Sequence, residues 1–560
     1  MRVKTSAAVA MLGAGTALVV AGAFAHPAST RLNQTTLRQG GTLKIDDTSD
    51  LDAIDPALAY GVLSWWFEQA TGAKLFTYPE KSGPAGSRLV PEVASGVKIS
   101  NSGKVYIFKL RSGFRFSNGE RVTAKSFAYA IDRALQSAIQ SPVAQFITDP
   151  SGSTIVGAPV VLAGKARTPK GVVAKGNTLT IRLVKADPTF LTKISLPFFA
   201  AASGKLPAKS TIEKVRTRND LPSAGPYYVS YREPNQLVIL KRNPFYKPGP
   251  GRRRPHRVDQ IQLHVGVTEE AGFREVASNR VDIGPIPPPE AGGLGKKYGV
   301  NKTRFWVKPQ VCVFYLALNT ESDLFKNNAP LRRAVNYAIS RKSMVIQQGA
   351  YAGSPWDHIL PPGIPGSLKR HIYPLSKPNP AKAQQLARGH TRSGKAVYYY
   401  FSDSLASRSQ MEINRADLAR IGITIEERGY RGYALFTAAG HRGADFAIAQ
   451  AGWCQDYPDP YDFMNILLYG QSIQAENNSN LAYFDAAKYN AKLRAASKLI
   501  GVRRYRTYGK LDLDIMKNAA PWAVFGTPNF RFFFSNRVDP KSLVFPPTFG
   551  QPSLAAIALK

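Results

Sequence analysis

Stretches with alternating hydrophobic and polar residues recur through the first half of the chain, and they predict strands with one buried face. Residues 97–110 predict a hairpin around the turn Asn101-Ser102-Gly103. Residues 177–184 predict another strand. Between them, Thr123 precedes a run with helical spacing. Its apolar positions are Phe127, Ala130, Ile131, Ala134 and Leu135.

The pattern changes in the second half of the chain. Residues 311–318 are almost continuously apolar and predict a central, buried strand. Pro330 then begins a predicted helix. Its inward positions are Leu331, Ala334, Val335, Ala338 and Ile339. A helix predicted near 409–420 is followed by a strand at 423–426, an alternation that is typical of α/β lobes.

Length and the N-terminal pattern predict an exported protein of two or three lobes. The chain has 560 residues, more than one ordinary domain. Arg2 and Lys4 precede an apolar run that ends in Ala23-Phe24-Ala25, which predicts a signal peptide over 1–25 and a linker over 26–39. An uncleaved anchor is the alternative. No cysteine follows the apolar run to carry a lipid, so we expect a periplasmic or extracellular, envelope-associated protein.

Charge adds one expectation about partners. The formal net charge is +36, and the basic residues are spread along the chain except for one tight run, Arg252-Arg253-Arg254. We recognise no nucleic-acid module, so we expect no nucleic-acid partner. We interpret the charge as a basic surface that is attracted to the anionic cell envelope. We also expect the protein to be a monomer.

The two cysteines, Cys312 and Cys454, allow a single intramolecular pairing. Disulfides are common in exported proteins, so a bridge is expected, and two free buried thiols are the alternative.

The segment 451–468 carries the candidate chemistry. In an extended backbone Cys454 and Asp456 share a face, and Pro458 ends the strand. One interpretation is that Asp456 receives a cation, the α-ammonium of a peptide, and the other is that it only caps the proline turn. Trp453 packs either on a ligand, on a hinge or in the core.

No local enzyme motif is found. The sequence has no Gly-x-Ser-x-Gly or His-Glu-x-x-His motif and no phosphate-binding loop. Its seven histidines do not occur at metal-ligand spacing. We therefore predict a protein that is not an enzyme and has neither cofactor nor metal.

Several blocks occur in an order that resembles one family. They are Gly40–Leu43 with Asp55-Pro56, Leu89–Ala94, Tyr106–Gly113, Phe116–Gly119, Gly225–Tyr227, Arg242–Pro244, and Asn319 followed by Leu331–Ile339. Together they resemble the extracytoplasmic solute-binding proteins of bacterial peptide-type ABC importers, family 5, and within it the oligopeptide-binding proteins.

The resemblance implies a periplasmic-binding-protein-like α/β fold with two lobes, a hinge and an extra subdomain on the first lobe (cluster C type). The implied divisions are lobe I over 40–70, 206–310 and 526–560, the subdomain over 71–205, and lobe II over 311–525.

The resemblance also implies a site. The family's Ala-Gly-Trp-Cys-x-Asp-Tyr matches Ala451–Tyr457 here, which implies a Cys312–Cys454 bridge and an ammonium-binding Asp456, with Gly452 and Trp453 beside it. Tyr60 and Val62 lie in a segment that resembles the one with which the family contacts the backbone of the bound peptide, so the resemblance implies that they are ligand contacts. Gln450 stands where the family member has an arginine for the ligand's carboxylate end.

The implied function is delivery of oligopeptides or dipeptides to an ABC permease by closure of the lobes. Alternatives in the same transport class are a sugar oligomer, an opine or a nickel chelate as the ligand. Outside that class, a secreted hydrolase or an adhesive envelope protein would be possible.

Overall fold

The computed structural model describes residues 37–149 and 152–560, so the predicted signal peptide and residues 26–36 of the predicted linker lie outside the described residues. The strands are β1 (Thr42–Asp47), β2 (Phe76–Thr77), β3 (Val90–Pro91), β4 (Ala94–Ser100), β5 (Val105–Leu110), β6 (Val172–Lys175), β7 (Thr178–Arg182), β8 (Tyr227–Glu233), β9 (Leu237–Arg242), β10 (Gln260–Val265), β11 (Ile283–Gly284), β12 (Phe305–Pro309), β13 (Cys312–Leu318), β14 (Gly353–Pro355), β15 (Lys395–Phe401), β16 (Thr424–Tyr430), β17 (Ile448–Cys454) and β18 (Trp522–Phe534).

The α-helices alternate with these strands, most densely in the second half of the chain. They are α1 (Val62–Thr71), α2 (Ala124–Ala134), α3 (Gln145–Thr148), α4 (Ala158–Leu162), α5 (Phe190–Lys193), α6 (Glu269–Ala277), α7 (Glu290–Tyr298), α8 (Ala329–Ala338), α9 (Arg341–Ile346), α10 (Pro380–Ala387), α11 (Leu405–Ala419), α12 (Ala434–Ala439), α13 (Tyr461–Leu468), α14 (Ala487–Ser497) and α15 (Gly501–Asn518).

A 12-stranded mixed sheet organises the fold, and its main path runs β16-β15-β17-β13-β18-β11-β1-β10-β9-β8. We call β1, β8–β12 and the end of β18 the first half-sheet, and β13–β17 with the start of β18 the second half-sheet. Strand β13 lies between β17 and β18 and is antiparallel to both, so the predicted central strand is confirmed. Its side chains are almost all buried.

The chain passes between the half-sheets along two neighbouring segments. Strand β12 leads directly into β13, and both pair antiparallel with β18. Strand β18 is long because its apolar second part, up to Phe534, pairs with β12. Long strands shared by two halves are a suitable place for a bend.

A separate sheet of four strands, in the order β4-β5-β7-β6, contains both the predicted hairpin and the predicted strand at 177–184. Helix α2 follows Thr123, whose N–H donates to Ser126 Oγ at 3.2 Å. The predicted inward positions of α2 and α8 are buried. The spacing of apolar residues thus identified these helices correctly.

Residues Leu37–Lys560 form one compact unit, and the predicted division into lobes stays a prediction. Within the described residues, no helix combines the length and the apolar composition that a bilayer crossing requires.

Candidate functional site

A cavity of about 350 Å³ lies where segments from distant parts of the chain meet. We call it the central cavity. Its wall includes Tyr60 and Val62 from the start of α1, Trp453 and Asp456 from the end of β17, and Phe549 near the C-terminus. Aromatic and aliphatic side chains form most of the wall, as in a typical binding site for a small molecule.

The charged residues of this wall are all acidic. Asp456 and Glu80 line the cavity, and no lysine, arginine or histidine is among the described residues that line it. Burial raises the pKa of Glu80, although Ser553, Arg254 and Lys74 act in the opposite direction. A chain of net charge +36 therefore surrounds a cavity that favours cations over anions.

Strand β17 reaches the cavity beside the disulfide. Cys312 of β13 pairs directly with Cys454 of β17, and the two sulfur atoms are bonded. The structure thus contains the bridge that the resemblance implied, and the alternative of two free thiols is wrong. The bridge fixes the end of β17, two residues before Asp456.

The backbone of β17 is accessible along one edge near the cavity. Strand β13 pairs with all of β17, whereas β15 pairs with it only at Ile448 and Ala449 within the described residues. Gly452 lines the cavity, and a Cβ added there would lie 2.7 Å from Cδ1 of Phe314. A glycine is therefore required by the close approach of the Phe314 ring.

Asp456 follows directly after this strand and is 7% exposed. Its Oδ2 accepts a hydrogen bond from the Tyr60 hydroxyl at 2.9 Å. No basic side chain forms an ion pair with Asp456 in the described part of the chain, although Asp456 lines the cavity. The carboxylate is consequently desolvated without a cationic partner, which is costly unless a ligand supplies one.

Two other aspartates hold the proline turn that follows. Asp459 accepts hydrogen bonds from the guanidinium of Arg504 at 2.8 and 2.9 Å in a buried ion pair. Asp462, at the start of α13, accepts the backbone N–H of Asp456 at 2.8 Å and the indole N–H of Trp453 at 3.4 Å. These contacts fix the position of the Asp456 backbone.

Asp456 and Asp462 differ in the pKa of their carboxyl groups, because both are buried and lie close to each other. Burial raises the pKa of Asp456 to about 7. Burial and the neighbouring Asp456 raise the pKa of Asp462 well above its usual range. Because Asp462 holds its proton more tightly, Asp456 is the carboxyl group that can present a negative charge to the cavity.

Hydrogen bonds of its backbone hold Tyr60 in place. Its N–H and that of Gly61 donate to Asp52 Oδ2 at 2.6 and 2.9 Å. The Tyr60 ring lies 5.8 Å from that of Trp453, measured between centroids. Trp453 is half-buried and lines the cavity, a position compatible with contact to a ligand.

The remaining predicted site residues differ in their positions. Val62 is 44% exposed at the cavity, as a ligand contact requires. Gln450 lies in β17 and is buried, and its Nε2 donates to the Ser407 carbonyl at 3.1 Å. Gln450 is not among the residues that line the cavity.

Most of the lining residues were not identified from the sequence, and Glu80 and Tyr433 are two examples. Neither lies in a motif, and both reach the cavity only through the tertiary fold. The role of Asp462 had a local signal, since an acidic residue after Pro460 at the start of an apolar run is typical of a helix N-terminus.

A cavity lined by residues of both half-sheets, which share crossing strands, is an arrangement typical of proteins that close around a small ligand. A family model described as "Bacterial extracellular solute-binding proteins, family 5 Middle" matches residues 88–475, and the chain belongs to this family. The predicted family and the predicted fold class are confirmed.

Individual relatives are distant. The chain is 27% identical to heme-binding protein A of Haemophilus influenzae over 77% of this chain and 78% of that protein. It is 24% identical to the periplasmic oligopeptide-binding protein OppA of Escherichia coli over 89% of each chain. The fold is similar to the structure of Listeria monocytogenes OppA bound to peptide, with a TM-score of 0.76 and 16% identity over 93% of this chain and 99% of that one.

Proposed function

We propose that this protein binds short peptides in the central cavity, with Asp456 pairing the α-ammonium group, and delivers them to an ABC import permease. The observation that carries the proposal is the desolvated Asp456 carboxyl group, which lines the cavity and has no basic partner among the described residues. A peptide ammonium would neutralise this carboxylate through a charge-assisted hydrogen bond.

The accessible edge of β17 supports a peptide as the ligand. An extended peptide can add its main chain to such an edge, and this contact does not depend on side-chain identity. Aromatic side chains around the edge would accept apolar side chains of the ligand. The names of the OppA relatives are consistent with this ligand class.

The absence of basic residues from the described lining bears on the other end of the peptide. Gln450 neither carries a positive charge nor lines the cavity. The ligand's carboxylate would therefore be left to backbone N–H groups, amide side chains such as Asn478, or water. We infer that a peptide amide binds at least as tightly as the free acid.

Closure and location complete the proposal. The two segments that cross between the half-sheets support a hinge, with Tyr60 in proposed lobe I and Asp456 in proposed lobe II. The protein would act outside the cytoplasm as a carrier and not as an enzyme, as the solute-binding family suggests.

The test is calorimetry with a panel of dipeptides and tripeptides. Asp456→Asn should weaken the binding of the best peptide by about 2–5 kcal/mol, the range for removing one partner of a buried charge pair. N-acetylation of the peptide should cause a similar loss in the wild-type protein. Glu412→Gln, which removes a charge from a side chain that is 61% exposed, is the control and should leave affinity unchanged.

Two outcomes would count against the proposal in different ways. Equal affinity of Asp456→Asn and wild type would show that the ammonium role is wrong while peptide binding stands. Failure of the wild-type protein to bind any peptide in the panel would contradict the ligand class itself.

A further inference from the structure

Three side chains that commonly bind metal ions lie together in the segment 356–373, away from the central cavity. Asp357, His358 and His371 each place one ligand atom within 4.8 Å of the other two. Asp357 and His358 are fully buried, whereas the side chain of His371 is 40% exposed. None of the three lines the central cavity.

His358 is oriented like a metal ligand with a supporting carboxylate. Its Nδ1 lies 2.6 Å from Asp512 Oδ2, a residue of α15. Asp512 also accepts the backbone N–H groups of Ile359 and Leu360 at 2.8 and 3.2 Å, so its position is fixed. An imidazole that donates from Nδ1 keeps its lone pair on Nε2, and carboxylates hold metal-binding histidines in this way.

The surroundings of the His358 Nε2 atom point to a ligand. It is buried and makes no hydrogen bond of ordinary length and angle among the described residues, although the Leu368 carbonyl lies close enough to favour a proton on the ring. A buried polar atom without a partner is costly and is rare in folded proteins. A metal ion bonded to Nε2 would remove that cost.

Asp357 and His371 are the other two candidate ligands. Asp357 Oδ2 accepts the backbone N–H of Tyr373 at 2.8 Å and that of Ile372, so the carboxylate is held rigidly. Asp357 Oδ1 lies 2.8 Å from His371 Nδ1. A metal ion could replace the proton between these two atoms.

A proton is the competing occupant of His358. Burial lowers its pKa, but Asp512 and Asp357 outweigh burial and raise the pKa above its ordinary value, and the Leu368 carbonyl acts in the same direction. The negative charge that favours a proton here favours a divalent cation as well.

We propose that Asp357, His358 and His371 bind a divalent transition metal ion, with Zn²⁺ as the best-fitting cation. Two imidazole nitrogens and one carboxylate oxygen are typical zinc ligands, and a water would complete a tetrahedron. Ligand atoms around such an ion are roughly 3.3 Å apart, so Asp357 Oδ1 and His371 Nδ1, which lie 2.8 Å apart, would separate slightly when the ion binds. The ion would fasten the segment 356–373 to α15 through His358 and Asp512.

This proposal revises the prediction from the sequence that the chain has no metal site. His358 and His371 are thirteen positions apart, and this spacing matches no local ligand motif. Only the fold of the segment brings them together, and Asp512 comes from a helix more than a hundred residues away.

The experiment is a Zn²⁺ titration of the protein, purified without a polyhistidine tag and treated with a chelator. We expect one equivalent to bind with micromolar or tighter affinity and to raise the melting temperature. His371→Gln should weaken binding at least about tenfold. His441→Gln is the matched control, because His441 Nδ1 lies 2.7 Å from Glu476 in a similar pair without a third ligand.

A second variant tests the supporting carboxylate. Asp512→Asn should weaken Zn²⁺ binding by about 10–100-fold, and circular dichroism should verify that the variant is folded. Binding of Zn²⁺ at millimolar concentration only would overturn the proposal. An equal loss of affinity in His371→Gln and His441→Gln would also overturn it.

Discussion

Asp456 is proposed to bind the ligand, and burying its carboxylate costs free energy in the ligand-free protein. Asp456 lines the central cavity, and burial raises its pKa to about 7. Around neutral pH the residue is therefore divided between its protonated and ionised forms, and a bound ammonium would shift it to the ionised form.

The affinity for peptides should therefore depend on pH near neutrality. The ionised fraction of Asp456 falls from about one half at pH 7 to about 1% at pH 5, so affinity should drop by about 50-fold over this range. Calorimetry at several pH values measures the change. Asp456→Asn should remove most of the slope, and any slope that persists reports on Glu80 or Asp462. A wild-type affinity that is constant from pH 7 to 5 would show that Asp456 does not pair the ligand.

The same residue should destabilise the ligand-free protein at alkaline pH. Because the pKa of Asp456 is higher in the folded than in the unfolded chain, its contribution to stability is present below about pH 4 and is lost as the pH rises through about 7. Asp456→Asn should gain roughly 2–3 kcal/mol relative to wild type between pH 5 and pH 8. Urea unfolding of ligand-free protein at both pH values measures this gain. A difference between variant and wild type that does not change with pH would contradict the assigned cause.

Strands β13 and β17 are the elements that position Asp456, and their disulfide joins residues 142 positions apart. Replacing Cys312 and Cys454 together by serine should lower the free energy of unfolding by about 4–5 kcal/mol, according to the entropy of closing such a loop. Denaturant unfolding of the double variant measures the loss. Wild-type protein treated with a reductant should show the same decrease, and unchanged stability in both samples would show that the bridge does not constrain the unfolded chain.

The elements of this fold differ in how far the sequence predicts them. Strand β13 and helices α2 and α8 follow from apolar spacing, since each buries a continuous face of its own residues. The far end of β18 does not, because it is extended through its pairing with β11, β12 and β14, which come from other parts of the chain. Local pattern identifies an element, and tertiary pairing decides where it ends.

The candidate site shows the same limit. The motif at Ala451–Tyr457 led to Asp456 and to the disulfide, because this part of the site is contiguous in sequence. Glu80 and Tyr433 come from separate segments without a motif, and only the folded chain shows that they line the same cavity. The acidic character of the wall is thus invisible in a sequence of net charge +36.

At the scale of the whole molecule, the exterior and the cavity act on a cationic ligand in opposite directions. The net charge of +36 should repel a cation during its approach. Asp456, buried at the cavity wall, should attract the same cation once it has entered. Salt screens the first interaction strongly and the second weakly, because exposed charges are screened over a Debye length of about 8–10 Å whereas buried pairs are not.

The rate constants for a peptide amide should therefore respond unequally to salt. Raising the ionic strength from about 0.01 M to 0.3 M should increase the association rate constant about three- to tenfold, because it removes long-range repulsion. The dissociation rate constant should hardly change, since it reflects the buried pair at Asp456. Stopped-flow fluorescence can measure both constants, with Trp453 at the cavity as an intrinsic reporter. A zwitterionic peptide without net charge is the control and should show little change in association. A fall in the association rate of the amide with added salt would mean that the field at the cavity mouth is attractive to cations, and that the positive charge lies elsewhere on the surface.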